Sequence, residues 1–363
     1  MSTLAEQLVK QVRKEFGEKA AFLAKDIPNR SGVSSGSIAL DYAIGPLGGM
    51  PRDHCVEFFG PESSGKSTLG LMCVANNLDF HTERGALILD TEHKMTEERL
   101  TQLLGPERMK RVVVAYPDHI EHAHDMYTAL VPSGDIGVVM LDSIGGAPVK
   151  KATEDSAEKA NFGNAKAVTA FARMAGGHSH KYECLTIGIN QLRENLDPRS
   201  HALITPGGKG WKHACMLRVY LRKGKGRVSM VMGNDTVDVG YTVAGRIHKN
   251  HLGGIEGREF TYWFYNAPYQ GKTIGVDQAE EVERLSTATG VVTRNGGWYV
   301  HEGLPDGKVN GKERFTEALN ANPALRATLA EATLAALRND SVISLEGEET
   351  IGPIREKDVD EDR

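Results

Sequence analysis

An α/β fold with a mixed, mainly parallel sheet flanked by helices is predicted by three observations. Short apolar runs alternate with amphipathic stretches from about residue 54 to residue 190. One strand-to-helix junction among them carries a glycine-rich sequence. Beyond Asn190 the rhythm changes, and strand-like runs follow one another with short turns. Continuous apolar strands separated by helical patterns indicate a parallel sheet covered on both faces, and closely spaced strands add antiparallel members to it.

Taken in order, residues Ala5 to Lys25 predict an N-terminal helix, and the overlapping "KAAFLAKD" reads as an apolar strand with no obvious partner in its own sheet. "DIPNRSGVSSGS" reads as a linker. The core then runs through "HCVEFF", "GKSTLGLMCVANNL", "GALILDT", "TEERLTQLL", "RVVVAY", "IEHAHDMYTALV", "IGVVMLD", "NAKAVTAFARMAG" and "CLTIGIN". Its antiparallel extension is "HACMLRVYLRK", "RVSMVMG", "DTVDVGYTVAGRIHK" and "EFTYWFYN". From Val276 a smaller α/β region contains "DQAEEVERLSTATG", the strand-like "GGWYV" and two helices. The predicted divisions are therefore 1–32, an N-terminal helix and strand; 33–275, the core; 276–340, a C-terminal subdomain; and 341–363, a tail. No repeat at solenoid spacing interrupts this order.

The composition, 40% hydrophobic and 25% charged over 363 residues, is that of a soluble globular chain. No apolar run reaches the eighteen or so residues needed to span a bilayer, and "MSTLAEQLVKQVRKEF" mixes charged and apolar positions unlike a signal peptide. A cytoplasmic location without membrane partners is expected. Cys55, Cys73, Cys184 and Cys215 lie far apart without CxxC spacing and are expected to be reduced core residues. From Glu346 to Arg363, eight acids face three bases, a surplus equal to the whole net charge of -5. The rest of the chain is balanced. An acidic end of this kind reads as a solvated segment able to compete with a polyanion.

The glycine-rich junction is "GPESSGKST", Gly60 to Thr68. Its spacing fits GxxxxGK[ST], in which glycines let backbone N–H groups face an anion and the next helix adds its positive end. Gly60, Pro61, Glu62, Ser63, Ser64, Gly65, Lys66, Ser67 and Thr68 thus form a candidate ATP cradle. Lys66 is expected to reach the β and γ phosphates, and Ser67 to join the shell of Mg²⁺. Asp142 closes the strand "IGVVMLD" and is assigned to the metal's outer shell, although an acid capping the turn at Ser143 is the plainer alternative. Asp90 and Glu92 close another strand, and Glu92 is the better candidate for polarising water; a helix cap at Thr91 or Thr96 would explain the same turn. Gln191 ends "INQLR", where its amide can sense a γ-phosphate.

Two long segments hang from these strand ends. "KKATEDSAEKANFGNA" follows Asp142; "RENLDPRSHALITPGGKGWKH" follows Gln191 and carries Arg193, Arg199, Lys209 and Lys212. Aperiodic loops of this length are uncommon unless functional or disordered. They suggest a polyanionic partner gated by ATP, or else lids over a small substrate.

The motifs "GPESSGKSTL", "DTEH", "LDSI", "INQLR", "PGGKGWKHACMLRV" and "HKNH", with "VSSGSIALDYAIG" before them and "GGWYV" after, resemble the bacterial RecA recombinase family, or a phage-encoded relative, in order and spacing. The resemblance spans nearly the whole chain. It implies a RecA-type P-loop NTPase core and a homologous-recombination and DNA-repair protein. Such a protein polymerises head to tail on single-stranded DNA with ATP and exchanges strands with double-stranded DNA, with single-strand-binding and loader proteins as further partners. It also implies Glu92 as catalytic carboxylate, with Lys66, Gln191 and Lys249 as catalytic partners and Asp142 and Ser67 at the metal. The segments from about Thr153 to Ala165 and from Glu194 to Gly210 become DNA-binding loops. On this resemblance Lys159, Asn161, Lys166, Arg173, Arg193, Arg199, Lys209 and Lys212 are assigned to DNA, and Gly207 and Gly208 to close backbone approach to phosphates.

Three positions depart from the family pattern. Lys249 matches one of two lysines that act on the neighbouring subunit's ATP, but the second position is His251, a mostly neutral side chain near pH 7. Arg99 stands where an aromatic commonly stacks on adenine, and a guanidinium plane can also stack. His213 replaces an aromatic at the base of the second loop. The competing readings are a RecA-fold DNA motor, such as a helicase or branch-migration factor, a P-loop small-molecule kinase, and a non-catalytic DNA-binding scaffold. A DNA motor would translocate, a kinase would ignore single-stranded DNA, and a scaffold would have no use for both Lys66 and Glu92.

Overall fold

The computed structural model describes residues 2–18, 20–27, 31–146, 157–194, 203–233 and 235–339, without the side chains of 157–164, 194 and 203. Two units are distinguished, Met1–Ser31 and Gly32–Arg363.

In the first unit, α1 (Leu4–Phe16) opens on a capping box: Thr3 Oγ1 accepts from the Glu6 amide at 3.3 Å, and Glu6 Oε2 accepts from the Thr3 amide at 2.8 Å. Gly17 caps its other end, so the helix stops well short of the expected Lys25. Arg13 Nε donates to the Ala21 carbonyl at 2.7 Å and its guanidinium lies 4.9 Å from the centroid of Phe22, folding the next segment back on the helix. That segment makes a 3-10 turn at Ala24–Asp26, and no strand occurs among the described residues of this unit, contrary to the strand expected there. Leu4, Leu8 and Phe16 are exposed.

The second unit alternates as the apolar runs predict. Its elements are α2 (Ile38–Ile44), β1 (Cys55–Gly60), α3 (Lys66–Phe80), β2 (Gly85–Asp90), α4 (Glu97–Met109), β3 (Val112–Ala115), α5 (Ile120–Leu130), β4 (Ile136–Asp142), α6 (Ala157–Tyr182) and β5 (Leu185–Gln191). A two-stranded ribbon, β6 (Arg193–Glu194) with β7 (Leu203–Ile204), precedes α7 (Gly208–Ala214). The long hairpin β8 (Cys215–Met232) and β9 (Asp235–Asn250) follows, then β10 (Glu259–Tyr265) and β11 (Gly275–Val276). The nine-stranded sheet has the order β11-β10-β9-β8-β1-β5-β4-β2-β3. From β8 to β3 every pairing is parallel, and from β11 to β8 every pairing is antiparallel, so the sheet is mixed and mainly parallel as predicted.

Residues alternate between the two faces of the sheet. Val56, Phe58, Ile88 and Met140 join the core beneath α3 and α4, while Leu87, Leu89, Val139 and Leu141 join the core beneath α5 and α6. Gly105, with φ 75°, and Pro106 break α4 inside its assigned bounds, which is why the periodic "TEERLTQLL" ends at Leu104. The C-terminal elements are α8 (Gln278–Ala288), β12 (Thr293–Asn295), β13 (Trp298–Val300), β14 (Lys308–Asn310), α9 (Lys312–Ala321) and α10 (Pro323–Asn339). They enclose a third core around Val282, Tyr299, Phe315 and Leu329, which Ile38 of α2 also enters. All four cysteines are free and buried, as expected. Among the described residues no helix is long and apolar enough to cross a membrane.

Two loop expectations are corrected. The helix after Asp142 begins at Ala157 rather than near Asn164, so Lys159 and Asn161 stand on α6 and not on a loop. The segment after Gln191 closes through β7 and α7 rather than running without structure to Gly210. Arg199 and the acidic tail lie outside the described residues.

Candidate nucleotide-binding site

Register brings the site together. In the parallel half of the sheet Gly60 pairs with Gln191, Asp142 with Ile189, and Asp90 with Asp142, so four strands end at one rim. Ligands of open α/β sheets bind outside this carboxyl edge. Here a cavity of about 520 Å³ is lined by the loop from Glu62 to Thr68, by Glu92, Lys94, Arg99 and Gln191, and by Lys223, Tyr241, Phe264 and Asn266 from the antiparallel half.

The loop is shaped for anions. Gly65 has φ 89° and forms the left-handed cap from which α3 starts at Lys66, so the unpaired amides of the first helical turn face the cavity. A Cβ at this position would also crowd Phe264, and the backbone angle alone favours glycine. From the other half of the sheet, the Tyr241 hydroxyl donates to the Ser63 carbonyl at 2.9 Å and braces the loop. Lys66 Nζ donates to the carbonyls of Gly60 at 3.0 Å and Pro61 at 2.6 Å. Burial pulls its pKa down to about 8, against the attraction of Asp142. Arg99 Nη2 donates to the Thr68 hydroxyl at 2.8 Å, which places the guanidinium at the cavity wall.

The acids divide into separate tasks. Asp90 accepts from the amides of Glu92 at 3.2 Å and Met95 at 2.8 Å and therefore fixes the turn. Thr96 caps α4, as the alternative reading of this turn allowed, and Thr91 bonds the Ser143 backbone through both its oxygen and its hydrogen. Glu92 lines the cavity. Its Oε1 accepts from the Ser143 hydroxyl at 2.5 Å and from Gln191 Nε2 at 3.4 Å. Burial raises its pKa, but the Ser143 hydrogen bond and the Lys94 and Lys66 charges outweigh it and hold the carboxyl below its usual range.

Asp142 is wholly enclosed, and burial raises its pKa against the pull of Lys94 and the Ser67 hydroxyl. The Lys94 ammonium lies 2.7 Å from Oδ1, and the Ser67 hydroxyl is the second group that favours the ionised carboxylate. Such a buried carboxylate beside a hydroxyl fits a hard divalent cation such as Mg²⁺, for which Asp142 and Ser67 supply oxygen donors.

Lys94 carries no sequence signal, because a lysine two residues after an acid at a turn resembles any solvated side chain. Glu57 carries none either. It is buried in β1, paired with Arg218 of β8, and accepts from Asn190 Nδ2 at 2.8 Å. Asn190 Nδ2 also donates to the Pro206 carbonyl at 3.0 Å, and Arg218 Nη2 to Thr205 Oγ1 at 3.3 Å, so the returning end of the second segment is tied to the sheet.

The remaining site expectations fall elsewhere. Arg193 Nη2 donates to the Gly145 carbonyl at 2.8 Å, joining the roots of both segments. Lys166, Arg173 and Lys209 are exposed, and Lys212 is half-buried. Gly207 and Gly208 have φ 98° and 68° at the start of α7; a Cβ on Gly207 would meet Ile144 and Val168, so close packing there requires glycine. Lys249 Nζ donates to the carbonyls of Lys212 at 2.9 Å and His213 at 3.3 Å at the end of α7, and His251 is exposed; neither lines this chain's cavity.

The family model of the RecA N-terminal domain matches residues 3–255. Protein RecA of a Thermus thermophilus strain is 30% identical over 351 residues, covering 95% of this chain and 96% of that protein. Protein RecA of Bacillus subtilis is 28% identical over 355 residues, 94% of each. Protein RecA of Phytoplasma mali is 29% identical over 321 residues, 85% of this chain and 88% of that one. With its phosphate loop, strand-end acids and sheet order in place, and with this match over most of its length, the chain belongs to the RecA family.

Proposed function

We propose that this chain is an ATP-dependent homologous-recombination protein that assembles head to tail on single-stranded DNA, pairs it with duplex DNA and exchanges strands. DNA binding stimulates its ATP hydrolysis. The observation that carries this reading is the 3.4 Å contact between Gln191 and Glu92, at the point where β5 leaves the cavity and becomes the ribbon rooted by Arg193 on Gly145. Two contacts made two residues apart on one strand end thus tie the acid beside the phosphate loop and the roots of both segments proposed to hold DNA to the same backbone. An element shared by two sites is the physical requirement for coupling them.

Bound at the rim, Mg²⁺ supplies charge neutralisation during phosphoryl transfer. Lys66 and the loop amides hold the phosphates, Ser67 and Asp142 hold the metal, and Arg99 faces the base. Glu92, fixed by Ser143, orients water and takes its proton. Lys166, Arg173, Lys209 and Lys212, with Lys159, Asn161, Arg193, Arg199 and the Gly207–Gly208 backbone, contact DNA without reading sequence, so base pairing supplies the specificity. Lys249 and His251 serve the site of an adjacent subunit, as heterologous contacts building an open helix permit.

The test is ATP hydrolysis with and without single-stranded DNA, followed by imaging of assemblies. Stimulation and filaments are expected from the native chain. Lys66→Ala should abolish turnover, and Glu92→Gln should slow it at least about a hundredfold while filaments still form. A rate indifferent to DNA with no assembly would favour a small-molecule kinase, and movement along DNA without pairing would favour a motor.

A further inference from the structure

We infer that Lys94 is a positioning residue of this site: an internal cation that neutralises Asp142 and Glu92 in the nucleotide-free protein and is displaced when the divalent ion enters. The inference rests on the nucleotide reading above and adds to it a residue that the phosphate-binding motif does not contain.

Asp142 has no solvent exposure, and its ion pair at 2.7 Å is with Lys94. The same ammonium lies 3.1 Å from Glu92 Oε2. Two carboxylates converging on one space repel each other unless a cation lies between them. Lys66 does not take that place, because its ammonium is turned to the carbonyls of Gly60 and Pro61. Lys94 therefore stands where charge compensation is needed, in contact with both acids.

It is also built to leave. The backbone around it is held by Asp90 through the amides of Glu92 and Met95, and Met95 is buried. Its side chain, in contrast, is 34% exposed and has open space in the cavity. What holds the ammonium at Asp142 is attraction and one short contact at 2.7 Å, not burial. A small divalent ion with oxygen ligands competes for the same carboxylate, and the two cations cannot occupy one place. Lys94 then swings into the open space of the cavity that its side chain already lines.

The discriminating experiment titrates the native chain and Lys94→Met with a fluorescent ATP analogue, in EDTA and across a Mg²⁺ series. Thermal unfolding reports the fold, and Lys94→Gln replaces the methionine variant if that fails to fold. Without the lysine, two uncompensated acids face the triphosphate, so affinity in EDTA should fall about tenfold or more. The Mg²⁺ concentration for half-maximal binding should also fall several-fold, since no resident cation has to be displaced. Equal EDTA affinities and equal Mg²⁺ midpoints would overturn the inference while leaving the nucleotide site intact. A folded variant that binds nucleotide in neither condition would also overturn it, by making Lys94 a direct ligand. Failure of the native chain to bind the analogue would instead remove the underlying nucleotide reading.

Discussion

Glu57 stands in the middle of β1 with no exposure, facing Arg218 from the next strand and Asn190 from the strand on the other side. Arg218 is itself buried, and its guanidinium lies 4.7 Å from the centroid of Phe59. A closed ion pair of this kind is weak evidence for net stability, but breaking one side strands the other charge in a low-dielectric interior. Glu57→Gln is therefore expected to destabilise the fold by about 3 kcal/mol in urea unfolding, and Glu57→Gln combined with Arg218→Met should recover much of that loss. A single-variant effect below about 1 kcal/mol would mean that Arg218 finds another partner. Nothing in "HCVEFF" announces this pair, because the partner is 161 residues away and the contact exists only once β8 lies beside β1. Glu92, Asp142 and Gln191 were legible because strand ends converge by a general rule of parallel sheets; Lys94 was not, because its partners belong to different strands.

Among the elements, β9 carries a pH-sensitive position. Burial first, and then the Arg218, Arg246 and Lys212 cations, lower the His248 pKa to about 4 against the opposing charge of Glu57. The imidazole lies 5.3 Å from Phe59, edge to face. The unfolded chain takes up this proton near pH 6.5 and the folded chain only near 4, so between those values the unfolded state binds more protons. The contribution of His248 is present above pH 6.5 and is lost as pH falls towards 4. Thermal midpoints measured from pH 7 to 4.5 should fall more steeply for the native chain than for His248→Gln; parallel curves would place the acid sensitivity elsewhere. The elements themselves were legible wherever periodicity was strong, as in α3, β4 and β5. The start of α6 was not, since "EDSAEKANFG" mixes acids, glycine and asparagine that read as loop, and "AAFLAKD" is apolar enough for a strand although Arg13 ties its start to α1 and its end makes a 3-10 turn.

For the whole molecule, charge is distributed unevenly: the surplus of acid lies in Glu346 to Arg363, while the proposed DNA-facing segments carry exposed lysine and arginine. Removing that tail should strengthen duplex DNA binding several-fold at low salt, with the difference closing as ionic strength rises and both partners are screened. Equal affinities at low salt would show that the tail does not compete with DNA. Sheet order was only partly foreseeable. Parallel and antiparallel halves follow from connection lengths, but that β8 closes on the phosphate-loop strand itself does not.

That adjacency gives the Tyr241 hydroxyl its importance. The phosphate loop leaves β1, yet its tip is gripped from β9, a strand continuous with the long hairpin. The hairpin thus meets the cradle twice, along β1 through β8 and at the loop's lip through Tyr241, so both halves of the sheet fix the loop's shape.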